Sequence, residues 1–396
     1  MIKREISQKI LDLAEKFPVI TVTGPRQSGK TTLLRNLFGD LFYASLENPD
    51  TRMFALQDPK NFLQQYSNGG IIDEAQLVPE LFSYIQGIVD QSGKTGQFIL
   101  SGSQSFLLHD RISQSLAGRT AIFRLLPFSF SELQKADQLL PSYEANIFHG
   151  FFPRLYDKKI DPPDFYPNYI QTYLERDVRS LQNIHDLNLF VRFLGLCAGR
   201  VGQLLDYTSL ANDCGISYNT VKAWISVLEA SYILFLLQPH HSNFSKRLVK
   251  RPKLYFYDTG LCCSLLRIEK VSQLTNHYLK GSLFENLILS ELLKRRYNQG
   301  KASNLYFWRD HRGMEVDLII ENTDGLIPVE IKSAKTWNRD FFLNLEKWNG
   351  YSGNQPENSH VVYGGGESVQ TSSGMLHSWK SLDFTPWYVI RDAKNG

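Results

Sequence analysis

At 396 residues the chain is too long for one compact core and predicts two or three domains, while 42% hydrophobic and 13% aromatic residues argue against a disordered polymer. A formal charge of +3 gives no global field for nucleic acid, so any such contact has to come from local basic patches. The four cysteines form no C-x-x-C pair, and no apolar run approaches the ~18 residues of a membrane span, so a cytoplasmic protein without a membrane partner is expected.

Ile2, Ile6, Ile10, Leu11, Leu13 and Ala14 recur at helical spacing and predict an amphipathic first helix packed beside the first strand. The apolar run Val19-Ile20-Thr21-Val22-Thr23 then leads into Gly24-Pro25-Arg26-Gln27-Ser28-Gly29-Lys30-Thr31, followed by the helical pattern of 31–38. Strand, G-x-x-x-x-G-K-[ST] and helix together read as a phosphate-binding loop. Gly24 and Gly29 let the backbone turn close to an anion, and the unpaired amides at the helix start face it. Lys30 is expected to reach the β- and γ-phosphates and Thr31 to offer its hydroxyl to Mg²⁺, so ATP with Mg²⁺ is the expected ligand. Thr32 extends the binding set.

Downstream, the apolar stretch Gly70-Ile71-Ile72 ends in Asp73-Glu74. Asp73 is expected to hold the ion through water and Glu74 to polarise the attacking water; a capping pair at a strand end is the alternative. The strand Phe98-Ile99-Leu100 runs into Ser101-Gly102-Ser103-Gln104, where Ser103 or Gln104 can sense the γ-phosphate or simply form a turn. Arg119 follows Gly118 just before a strand over 121–126. There it is either an arginine supplied to a neighbouring subunit's γ-phosphate or a surface arginine paired with a local carboxylate.

The order of loop, acidic pair, polar strand end and late arginine resembles an AAA-type ATPase. In particular 24–33, Ile72-Asp73-Glu74-Ala75-Gln76 and Leu116-Ala117-Gly118-Arg119 resemble a bacterial and archaeal subgroup that carries a C-terminal domain of unknown function. The likeness implies a homo-oligomer, such as a hexameric ring, and assigns Pro153 of Gly150-Phe151-Phe152-Pro153 to the border of the adenine, although His149 replaces the subgroup's first glycine. It also places Tyr173-Leu174-Glu175-Arg176-Asp177-Val178 on a lid helix, with Arg176 reaching phosphate or pairing locally.

Between 186 and 257 the pattern is three helices and a hairpin. A short helix stops at Gly215, and Ser217 caps the run 218–228, which is the helix-turn-helix signature. Val221, Trp224, Ile225 and Leu228 point inward, leaving Tyr218, Asn219 and Lys222 outward for DNA. The hairpin that follows carries Lys246, Arg247, Lys250, Arg251 and Lys253 with no acid among them, a basic wing suited to phosphates. A wing used only for packing is the alternative.

In the last third, an amphipathic helix over 283–293 precedes strands at 304–308, 315–320 and 327–331, a helix at 339–348 and a strand at 360–363. Alternation puts Glu330 and Lys332 on one face, where Asp317 can join them around a hard cation. This spacing resembles the restriction-endonuclease-like superfamily, whose Asp, Glu-x-Lys and helix Glu positions match Asp317, Glu330, Lys332 and Glu285. Trp308, Arg309, His311 and Arg312 lie near the mouth of that site.

The fold class expected is therefore α/β: a P-loop AAA-type ATPase core (1–135), a helical lid and linker (136–185), a winged helix-turn-helix (186–265) and a restriction-endonuclease-like α/β domain (266–396). The function expected is an ATP-hydrolysing DNA-binding motor or remodeller in repair or recombination, with branched junction DNA as one substrate. The competing readings are a nucleotide-dependent switch or defence sensor with a degenerate nuclease domain, and an ATP-licensed metal-dependent nuclease.

Overall fold

The computed structural model describes residues 2–103, 115–174, 186–240, 248–323 and 325–384. Gln104, Arg176, Lys246 and Arg247 lie outside these, as does most of the stretch before Arg119.

Five strands form the first sheet: β1 (Val19–Thr23), β2 (Phe42–Ser45), β3 (Gly70–Asp73), β4 (Phe98–Gly102) and β5 (Thr120–Arg124). Their order is β2-β3-β4-β1-β5, and every pairing is parallel. Alternation sorts the side chains into two cores. Ile20, Val22, Ile71 and Ile99 meet Ile10, Leu33 and Leu34 of helices α1 (Ser7–Ala14) and α2 (Lys30–Leu37). Val19, Ile72, Phe98 and Leu100 meet Phe82, Ile85 and Val89 of the helix Leu81–Ser92 on the other face. A sheet covered on both faces requires strands apolar throughout, which is why β1 and β3 read as continuous hydrophobic runs. Because the strands are parallel, all their carboxyl ends open on one edge, and the loop, the acidic pair and the polar end of β4 converge there.

Helices Leu187–Ala198, Tyr207–Cys214 and Tyr218–Ala230 follow, then the antiparallel pair β6 (Leu234–Leu237) and β7 (Lys253–Phe256). Ser217 caps the third helix through Thr220 N at 3.0 Å. Val221, Trp224, Ile225 and Leu228 are buried, and Tyr218, Asn219 and Lys222 are exposed.

The last part is the helix Lys280–Asn298 and a six-stranded sheet of order β12-β13-β11-β10-β9-β8: β8 (Leu305–Arg309), β9 (Glu315–Asn322), β10 (Gly325–Lys332), β11 (His360–Tyr363), β12 (Val369–Thr371) and β13 (Gly374–Ser378). β12 and β13 were not expected from the sequence pattern. Two other expectations need correction. The helix Lys280–Asn298 is not amphipathic: Leu283, Phe284, Leu287, Ile288, Leu289, Leu292 and Leu293 are buried together with Asn286, Ser290, Glu291 and Lys294, because neighbours pack all round it. Nor do the described flanks of the basic hairpin stand clear of the last sheet. Its flanks bridge to the edge strand β8 at Pro239↔Phe307 and Leu248↔Asp310, and Val249 N donates to Arg309 O at 3.1 Å. That pairing covers a sheet edge that would otherwise present open backbone groups. Among the described residues no helix is long and apolar enough to cross a membrane.

Candidate nucleotide site

The phosphate-binding loop is set by close approach. Gly24 has φ 151°, and a Cβ there would lie 2.1 Å from Leu125 O, so only glycine lets β1 leave the sheet beside β5. Gly29 has φ 91° and begins α2, with Pro153 Cγ 3.8 Å from where its Cβ would stand. Pro153 thus borders the loop. Lys30 is buried and donates to Gly24 O and Pro25 O, both at 2.9 Å, so its ammonium lies inside the loop where a phosphate would sit. Arg26 pairs with Glu47 at 3.0 Å. Gln27 takes a left-handed φ of 61°, and the hydroxyl of buried Ser28 has no hydrogen-bond partner among the described residues. Thr32 is exposed.

Asp73 ends β3 across β4 from the loop. Its Oδ2 accepts from Thr31 Oγ1 at 2.7 Å and from Tyr43 OH at 2.9 Å, and its Oδ1 accepts from Ser101 Oγ and from Glu74 N at 3.2 Å. Burial, and then the Asp73 charge, push the Tyr43 phenol up to about 12, which keeps it a donor. Thr31 and Asp73 form an all-oxygen set of the kind Mg²⁺ takes, and the partnerless Ser28 hydroxyl marks unfilled hydrogen-bonding capacity in the loop, so these residues fit a nucleotide with its metal.

Glu74 has φ 54°, an uncommon backbone state for glutamate. Its Oε2 accepts from Ser103 Oγ at 3.0 Å, Ser103 N at 3.3 Å and Gln76 Nε2 at 2.5 Å. The Glu74 carboxylate is therefore clasped by the polar end of β4.

Arg119 precedes β5 and stands at the amino ends of the strands, opposite the loop. Its Nε and Nη2 donate to Asp90 Oδ1 and Oδ2 at 2.6 and 2.9 Å. Within one chain it forms the local ion pair.

Arg4, Tyr43 and Ser101 were not singled out by sequence reasoning. Arg4 Nη1 donates to Ser28 O at 2.8 Å, Nη2 to Leu126 O at 2.5 Å and Nε to Glu132 Oε1 at 3.0 Å, tying the loop to the segment after β5. Ser101 was recoverable, since it follows Leu100, the register partner of Ile72, and so stands beside Asp73. Arg4 left no local signal.

In the middle region Lys250 is exposed, and exposed Arg251 pairs with Asp206 at 2.5 Å. Lys253 was expected on the DNA-facing wing, and this is corrected. It is 3% exposed and bonded to Glu285 Oε1 at 3.1 Å and Glu315 Oε1 at 2.5 Å. Burial opposes its charge, but Glu285 and Glu315 outweigh burial and hold its pKa above the ordinary lysine range. Trp308 is likewise fully buried in the core under β9, away from any mouth.

Asp317, Glu330 and Lys332 do converge. Asp317 Oδ2 accepts from Ile331 N at 2.8 Å and Lys332 Nζ at 3.2 Å, and Glu330 Oε2 pairs with the same ammonium. Glu285 lies with Lys253, and Tyr255 OH donates to it at 2.5 Å. This arrangement does not fit a metal centre: each acid already faces a lysine, and among the described residues no group of three metal-ligating side chains is placed around one point.

A family model described as an AAA domain matches residues 16–134, and two domains of unknown function match 140–272 and 280–382. An uncharacterized protein of Mycobacterium tuberculosis is 29% identical over 338 residues, covering 84% of this chain and 74% of its own. One of Haemophilus influenzae is 22% identical, covering 84% and 86%. Among solved structures, a Walker-type ATPase of Pyrococcus abyssi is 16% identical, covers 68% of this chain and 96% of its own, and has a TM-score of 0.45. Thermotoga maritima RuvB is 18% identical, covers 58% and 88%, and has a TM-score of 0.31. The domain match and the loop geometry agree: residues 16–134 are an AAA-type domain of the P-loop ATPase class.

Proposed function

We propose that the chain hydrolyses ATP with Mg²⁺ and couples turnover to DNA as a cytoplasmic homo-oligomer, a motor or remodeller whose substrates include branched junctions. The observation that carries the ATPase is the meeting of Thr31, Asp73 and Glu74 at the carboxyl edge of the parallel sheet. Lys30 leaves its loop carbonyls to bind the β- and γ-phosphates, and the Ser28 hydroxyl and the loop amides gain partners. Thr31 and, through water, Asp73 would hold the Mg²⁺, which would neutralise charge on the phosphoryl oxygens. Glu74, released by Ser103, accepts a proton from the attacking water. Arg119 completes the site of a neighbour, and Pro153 borders the base.

Support for DNA is the capped helix Tyr218–Ala230 with Tyr218, Asn219 and Lys222 exposed at its start, beside exposed Lys250 and Arg251. In this reading 136–185 is a lid, 186–265 a winged helix-turn-helix and 266–396 a restriction-endonuclease-like fold without cleavage.

The clasp on Glu74 also favours a second reading, a slow nucleotide switch that rests with its base restrained. Steady-state ATP turnover with junction, duplex and single-stranded DNA separates the two. Stimulation by DNA, abolished in Glu74→Gln and reduced in Lys222→Ala, is expected of the motor. Unstimulated turnover with all three, and a single slow turnover per chain, would leave the switch.

A further inference from the structure

We propose that the Lys253 ammonium, carried in from β7, occupies the cation position between the carboxylates of Glu285 and Glu315. The carboxylate pair is then a lysine-filled joint between the helical middle region and the last sheet, with no room for a divalent ion.

The acids come from two elements, the helix Lys280–Asn298 and β9, and neither element supplies a cation to Glu285. Lys253 does so from a third, bonding Glu285 and Glu315 at once while 3% exposed. A buried ammonium is costly to desolvate and persists only where carboxylates face it, and two half-buried carboxylates held this close repel each other without a cation. The ammonium also faces an aromatic ring: Nζ lies over Phe307 on β8, 5.5 Å from the ring centre. Tyr255, two residues along β7 and on the same face, donates to Glu285 and uses a further acceptor position. Lys332 serves the remaining acids, Asp317 and Glu330, in the same way. A divalent ion entering between Glu285 and Glu315 would meet the ammonium at ligand distance, and like charges that close repel strongly at low dielectric. The lysine has to leave first. β7 is hydrogen-bonded to β6 and held by Asn286, which accepts from Phe256 N and donates to Phe256 O, both at 2.7 Å, so the backbone that delivers the lysine is fixed against the helix.

The test is a Mn²⁺ titration of the full chain without nucleotide, reading free ion by electron paramagnetic resonance. Wild type and the Glu285→Gln/Asp317→Asn variant are expected to bind the same number of ions, any bound at Thr31 and Asp73 being common to both. Lys253→Met is expected to bind one more, at millimolar or lower concentration, and to lose it when Glu285→Gln is added. A wild type that binds one ion more than Glu285→Gln/Asp317→Asn would overturn the proposal, and so would a folded Lys253→Met that gains none. The first comparison decides the matter even where Lys253→Met does not fold. Because no step involves ATP or DNA, failure here leaves the proposed function untouched.

Discussion

Arg4 shows how much of the phosphate-binding loop rests on a side chain far from it in sequence. It is buried, and its guanidinium donates to the loop at Ser28 O, to Leu126 O and to Glu132, while Glu132 also closes a capping box with Ser129. Removing one member of a buried ion pair leaves the other charge unpaired, a loss of about 3–5 kcal/mol. Arg4→Met is therefore expected to lower stability to urea by about that much, and to weaken nucleotide binding as Ser28 O loses its donor. A loss below about 1 kcal/mol would mean the pair behaves as a surface ion pair. The contrast with Asp73 and Glu74 is instructive. Those two were legible because a strand and a loop motif confine them to one edge of a sheet. Arg4 was not, because its partners lie far along the chain and only the tertiary fold brings them together. Lys253 misled for the same reason: its neighbours in sequence are basic, and its neighbours in space are acids.

At the scale of elements, periodicity located β1, β3, β4, the capped helix Tyr218–Ala230 and the central strands β9 and β10, since each carries its pattern within itself. It gave neither the docking of the hairpin on β8 nor the surroundings of the helix Lys280–Asn298, which depend on what covers an edge or a face. The parallel pairing of β11 with β13 adds a further consequence. It stacks His360 and His377, whose ring nitrogens Nδ1 and Nε2 stand 2.9 Å apart. Burial pushes His360 down to about 4, and burial with the neighbouring His360 pushes His377 to about 3, from an ordinary value of 6.5. Because the folded values are depressed, the stabilisation is complete above pH 6.5 and is lost as pH falls toward 4 and then 3, where the unfolded chain binds protons the fold refuses. The unfolding free energy from urea titrations should fall over that window, by an amount on the order of 3 kcal/mol from His360 alone. His360→Phe/His377→Leu should flatten this part of the profile, and an unchanged slope would assign the acid sensitivity to other groups.

For the whole molecule, the position of Arg119 bears on the proposed assembly. β5 runs parallel to β1 in the register Val19↔Thr120 to Thr23↔Arg124, so Arg119 and the loop lie at opposite ends of these strands. Five residues of extended chain separate them, about 16 Å at the usual rise per residue. Arg119 therefore cannot serve the phosphate bound by its own loop, and a catalytic role requires a second copy. Its present bond to Asp90 is no obstacle. Both groups are on the surface, and such pairs are worth about 0–1 kcal/mol, so assembly can redirect the guanidinium at small cost. Arg119→Ala alone should then lower turnover by roughly 10³-fold or more, the scale of other arginine fingers, while leaving nucleotide binding and stability nearly unchanged. Mixing Arg119→Ala chains with Glu74→Gln chains makes the distinction. Neither parent is active, but interfaces that join the intact Glu74 of one chain to the intact Arg119 of the other should recover activity in proportion to their frequency. No recovery in mixtures shown to contain both chains, together with an active Arg119→Ala parent, would reduce Arg119 to the surface ion pair it makes within a single chain.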